Sequence, residues 1–221
     1  MAEALPYDLL IWDWDGTLAD SAGQIVATMQ QAIAALGLPP REDHQISELI
    51  GLGFSDSLSL LFPQMNPATV VQLMREYRER APSTAYAAPL FAGAADGLAA
   101  LHGAGYRLAV ATGKPRIGLQ RSLAAHTQLA PLFLTTRCAD ETANKPDPLM
   151  LREILAETGV APERALMIGD TEYDVAMARS IGVPALGVAC GVHDAGRQLR
   201  AGAVAVVEAA HAVPGWLAAR R

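Results

Sequence analysis

The sequence predicts an α/β fold, a parallel sheet with helices on both faces, carrying an inserted all-helical unit. Three observations support this. From Gly93 onward, apolar stretches of strand length alternate with amphipathic stretches of helix length, the pattern of a parallel sheet wound through helical crossovers. Residues 19–85 have helical periodicity without a convincing strand, and a connection that long with its own periodicity is a subdomain and not a loop. Leu9-Leu10-Ile11-Trp12 is an apolar run that stops at Asp13, Asp15 and Gly16, as a buried strand does where it emerges into a polar turn. The expected organisation is a core of residues 1–18 and 86–221 with a helical unit at 19–85.

Along the first strand, alternation sends Asp13 and Asp15 to one face and Trp14 to the other. Two close carboxylates repel, and a divalent cation that prefers oxygen would relieve them; a solvated turn is the competing reading of this stretch alone. Ser21 to Gln24 has the spacing of a capping box, with Ile25, Met29, Ile33 and Leu36 following at helical period. Asp20 and Ser21 therefore read as helix-start residues. Gly37 and Pro39-Pro40 end that helix, and helical patterns recur at 45–50, 56–61 and 68–80. Pro82, Ser83, Pro89 and Gly93 then form a breaker-rich passage.

The second part of the chain predicts helices at 94–102, 115–125, 148–158 and 172–180, with strands at 106–111, 132–135, 165–168 and 185–188. A final apolar segment at 203–207 adds an edge strand. Polar residues follow three of these strands in the same sense as the first: Thr112-Gly113-Lys114, the region leading to Lys145, and Gly169-Asp170-Thr171. In an open parallel sheet the ligand crevice lies outside the carboxyl ends of the strands, so the four clusters are expected to converge.

Each cluster has a chemical reading. Thr112 offers a hydroxyl and Gly113 a close backbone amide ahead of a helix start, suited to phosphate oxygens or to a simple helix cap. Lys145 stands in Asn144-Lys145-Pro146-Asp147-Pro148, where each proline restricts the residue before it, and a pinned ammonium can clamp phosphate. Lys114 and Lys145 are the chain's two lysines, and each directly precedes a proline. Asp170 and Asp174 are four apart and share a side if a helix begins at once, although Asp170 could serve as its N-cap.

Composition narrows the class. The 221 residues, 51% of them hydrophobic, suffice for a real core. A formal charge of −6, from 17 basic and 23 acidic residues, argues against nucleic acid or an anionic membrane as the main partner. The first basic residue is Arg41, which fits neither a secretory nor an organellar leader, and no apolar run is long enough to span a bilayer. Cys138 and Cys190 have no metal-binding spacing, so a reducing, cytoplasmic setting is expected. His44, His102, His126, His193 and His211 match no ligand spacing.

Taken together and in order, the clusters resemble those of the haloacid dehalogenase superfamily of phosphohydrolases, with its Rossmann-like core. Asp13-Trp14-Asp15-Gly16-Thr17 is similar to the first motif, Thr112 to the second, Lys145 to the third, and Gly169-Asp170-Thr171 with Asp174 to the fourth. Residues 19–85 resemble the mobile helical cap, and the chain looks most like the phosphoglycolate phosphatase-like branch. The resemblance implies that Asp13 attacks phosphorus to give an aspartyl phosphate, while Asp15 protonates the leaving oxygen and then activates water. It further implies Mg2+ held by Asp13, the Asp15 carbonyl and Asp170, with Asp174 a ligand or neighbour. Thr112 and Lys145, with Gly16 and Gly113, would bind the transferring phosphoryl group of a small phosphate ester. Asp15 sets the chain apart from the dehalogenating branch, which lacks that aspartate. A β-phosphoglucomutase-like mutase is an alternative, but its cap arginine has Phe54 in the corresponding segment here. A binding module that retains the pocket is a second alternative. A monomer or homodimer is expected.

Overall fold

The computed structural model describes residues 5–81 and 87–220. Pro82, Ser83, the expected boundary between residues 85 and 86, and Arg221 lie outside the described residues.

A single parallel sheet of six strands forms the core, in the order β3-β2-β1-β4-β5-β6. The strands are β1 Leu9–Trp12, β2 Arg107–Thr112, β3 Phe133–Cys138, β4 Ala165–Gly169, β5 Ala185–Val188 and β6 Ala205–Val207. β1 is central, pairing in parallel with β2 on one side and β4 on the other. Its four side chains are fully buried because both faces are covered. Leu10 and Trp12 enter one apolar layer, while Leu9 and Ile11 enter the opposite one. The strand order reverses beside β1, so a crevice opens at the carboxyl ends of β1, β2 and β4.

Helices α5 Ala94–Gly103, α6 Arg116–Ala125, α7 Leu149–Thr158, α8 Glu172–Arg179, α9 Ala195–Ala201 and α10 Val213–Ala218 accompany the sheet. α1 Ala22–Ala35, α2 Asp43–Ser47, α3 Phe54–Leu61 and α4 Pro67–Arg80 lie between β1 and α5 and enclose an apolar cluster of their own. Val26, Ile33, Leu58 and Leu73 belong to that cluster. The chain leaves and re-enters the sheet along one seam. Ala19 bridges Leu90, Asp20 N–H donates to Pro89 O at 2.8 Å, and Phe91 N–H donates to Leu18 O at 2.9 Å.

The expected capping box at Ser21 does not form. Ser21 stands at the helix N-cap without a side-chain bond to the helix, because its hydroxyl is turned toward Asp15. β3 runs to Cys138, three residues past its expected end. Thr136 and Arg137 hide it from an apolar criterion because their polar groups are used by Arg116, Glu153 and Glu157. The short α9 and α10, in an alanine-rich tail, were not expected.

Candidate active site

Asp13 is carried out of β1 by the last ladder contact: its own N–H donates to Ile168 O at 2.9 Å. The side chain is 1% exposed, with one carboxylate oxygen accepting from Trp14 N–H at 2.7 Å and facing the Lys145 ammonium at 2.9 Å. The other, Oδ2, is buried without a hydrogen-bond partner. Two residues on, Asp15 accepts from the Ser21 hydroxyl at 2.7 Å and pairs with Lys114 at 2.9 Å. Both groups converge on Oδ1, which fixes the carboxylate at the mouth of the crevice.

The end of β4 supplies two more carboxylates. Asp170 accepts from the Thr17 hydroxyl at 2.8 Å and from Val192 N–H at 2.9 Å. Thr171, not Asp170, is the N-cap of α8, and it shares a capping box with Asp174. Asp174 also accepts from Lys145 Nζ at 2.6 Å. Oxygens of Asp13, Asp170 and Asp174 all lie within 4.8 Å of one another. Glycines make the packing possible. A side chain at Gly16, whose φ is +79°, or at Gly191 would run into Asp170, and one at Gly169 into Asp174.

The electrostatics follow from three buried carboxylates around one ammonium. Burial pushes Asp13 up to about 8 despite the pull of Lys145, and Asp170 up to about 7, with Asp174 adding repulsion to both. Burial acts to lower Lys145, yet Asp13 and Asp174 hold it above the ordinary lysine value. The cluster is thus short of positive charge. An all-oxygen donor set with one unpartnered buried oxygen, Asp13 Oδ2, fits a hard divalent cation.

Thr112 ends β2 with its hydroxyl accepting from Lys114 N–H at 3.2 Å, so the threonine shapes the turn that presents Gly113 and Lys114. It does not cap α6, whose first N–H, that of Arg116, donates to Asp140 at 2.8 Å instead. The helices of the insertion reach the core here. A side chain at Gly113 would strike the carbonyl of Gly51, and one at Gly53 would strike Asn144. Asn144 donates to Asp56 at 2.7 Å, while Tyr173 and His193 both reach Glu48 O at 3.1 Å. Between the two layers lies a cavity of about 380 Å³ that extends from Asp13 and Asp15 to Phe54 and Tyr77.

Of the eight residues expected at the site, Asp13, Asp15, Thr112 and Gly113 line this cavity, while Lys145, Asp170 and Asp174 cluster with Asp13 and Gly16 packs against Asp170. The sequence reading missed Ser21, which it took for a helix start, and the pairing of Lys114 with Asp15. Thr17 enters the sequence pattern only as the end of the first motif, and Gln198 not at all; the Gln198 amide donates to the carbonyls of Asp170 and Val188 at 3.0 and 2.9 Å. Serine six residues after an aspartate carries no recognisable spacing, although the isolated lysine before Pro115 was a signal.

A family description for haloacid dehalogenase-like hydrolases matches residues 10–188. The chain belongs to that family. Among curated relatives, it is 32% identical over 225 residues to the plasmid-borne phosphoglycolate phosphatase of Cupriavidus necator, covering 99% of this chain and 96% of the relative. It is 32% identical over 185 residues to the phosphoglycolate phosphatase of Rhodospirillum rubrum, covering 79% and 76%. A hydrolase from Pseudomonas syringae superposes with a TM-score of 0.86 at 25% identity, covering 95% of this chain and 97% of that one. This member of the family is a phosphatase-type hydrolase in its phosphoglycolate phosphatase-like branch.

Proposed function

We propose that the chain is a Mg2+-dependent phosphatase of a small phosphorylated metabolite, working through an aspartyl phosphate on Asp13. The observation that carries this reading is the unpartnered Oδ2 of Asp13, a carboxylate oxygen buried beside an ammonium and two further carboxylates. Asp13, Asp170 and the Asp15 carbonyl would hold the ion, with Asp174 as its neighbour. Bound there, Mg2+ supplies the positive charge that keeps the carboxylates ionised and draws negative charge from the phosphoryl oxygens.

This chain's own residues divide the remaining work. Lys145 holds Asp13 in place and pulls against the burial that favours its protonated form, so that with the ion's charge added a carboxylate oxygen meets phosphorus. The Thr112 hydroxyl keeps its proton for a phosphoryl oxygen while its oxygen receives Lys114 N–H. Asp15 stands at the crevice with Ser21 and Lys114 fixing one oxygen, leaving the other to give a proton to the leaving alkoxide and later to take one from water. Gly16 and Gly113 let the backbone approach. The helices 22–80 act as a cap that excludes water and reads the leaving group.

Because relatives are named phosphoglycolate phosphatases, phosphoglycolate is the first ester to try. The reading is tested with purified protein, Mg2+ and a panel of phosphorylated metabolites plus an aryl phosphate. Release of inorganic phosphate that stops on chelation supports it. No turnover on the whole panel would sink it, and isomerised sugar phosphate in place of free phosphate would favour a mutase.

A further inference from the structure

The leaving-group end of the cavity is built from hydrocarbon. Met29, Ile46, Ile50, Leu58, Leu61 and Met74 face it from all four inserted helices and the turn after α2. Phe54 and Tyr77 close it with rings 4.7 Å apart. Two of the hydroxyls on this side are spent locally: Thr28 donates to Gln24 O at 2.8 Å, and Ser57 donates to Leu49 O and Gly53 O at 3.1 Å. Gln24 adds a neutral amide.

Charge in the described lining points the same way. Asp13, Asp15 and Asp140 are acidic. Lys114 is engaged with Asp15 at 2.9 Å, and Arg78 is exposed on α4. No buried cation stands in the described helical part of the lining to receive a carboxylate. A carboxylate carried into this space would lose its hydration among apolar side chains and acids. The volume of about 380 Å³ runs from the phosphoryl end at Asp13 and Asp15 to Phe54 and Tyr77, and its far part is the apolar one.

We propose that the cavity takes an apolar leaving group, an aliphatic or aromatic alcohol of several carbons, and discriminates against an ester whose alcohol carries a carboxylate. The inference rests on the phosphatase reading above and narrows its substrate. Phosphate chemistry stays with Asp13, Thr112 and Lys145; the inserted helices supply affinity in proportion to the hydrocarbon they cover.

The test compares kcat/KM of the Mg2+-supplied protein for ethyl, butyl and hexyl phosphate, whose alcohols have similar acidity, with that for phosphoglycolate. The expected result is a rise of at least about tenfold from ethyl to hexyl phosphate, the scale of added methylenes in an apolar pocket, with phosphoglycolate below butyl phosphate. A flat or falling alkyl series, or phosphoglycolate above hexyl phosphate, would overturn the inference while leaving the phosphatase reading intact. Absence of turnover on all four esters and on 4-nitrophenyl phosphate would instead remove the phosphatase reading, and this inference with it.

Discussion

Lys145 places one ammonium 2.6 Å from Asp174 and 2.9 Å from Asp13, tying the start of α8 to the end of β1 inside the protein. The lysine is fully buried, so the bond is not screened by water. It lets two acids from distant parts of the sequence occupy one space.

Removing that ammonium should be costly. Lys145→Met leaves Asp13 and Asp174 buried without their cation, and breaking a buried pair from one side typically costs about 3–5 kcal/mol. Chemical denaturation of the metal-free variant should show a loss of this size. A loss under about 1 kcal/mol would mean that the carboxylates find other partners.

Asp15 depends on two donors for its orientation. Ser21→Ala deletes the 2.7 Å bond while leaving Lys114 in place. Turnover should fall about tenfold, equivalent to ~1.4 kcal/mol in the barrier, with little change in melting temperature. Unchanged kcat would show that the serine has no part in aligning the acid.

His193 provides a pH-dependent contribution to stability. Its ring accepts from Glu172 N–H at 3.0 Å on one nitrogen and meets Glu48 O at 3.1 Å on the other, an arrangement only the neutral ring satisfies. Burial lowers its pKa below the ordinary value, with Arg197 adding to the effect and Glu172 and Asp174 opposing it. The unfolded chain therefore takes up this proton more readily. The contribution is complete above the unfolded value near 6.5 and is lost as pH falls through the folded one. The urea midpoint should drop more between pH 7.5 and 5.5 in the parent than in His193→Gln; equal drops would contradict this.

At Gly113 the core comes against the Gly51 turn of the inserted unit. Gly113→Val would push against the Gly51 carbonyl, so the fold should persist while closure over the site is impaired. Steady-state kinetics should show KM raised and kcat lowered together. Unaltered kinetics would remove Gly113 from the closed contact.

The sheet was legible because β1, β4 and β5 are uninterrupted apolar runs buried on both faces, the simplest signal a parallel sheet gives. Asp13 and Asp170 were legible because each follows such a run directly. Ser21 was not, since an N-cap serine and a serine bonded to Asp15 occupy the same position in sequence. His193 was equally hidden, because its partners, Glu48 O and Glu172 N–H, are backbone groups remote in the chain. The apolar interior of the inserted helices was visible as periodicity, but whether it closes on itself or around a cavity depends on how those helices sit on the core.

The most direct test of the proposed chemistry is the fate of the phosphoryl group at Asp13. The protein is mixed with Mg2+ and a hydrolysed ester, quenched in acid within the first turnover, digested and weighed peptide by peptide. The account predicts one added phosphoryl group on the peptide containing Asp13, with both the adduct and turnover lost in Asp13→Asn. Full turnover by Asp13→Asn, or a phosphoryl group on another residue, would contradict it.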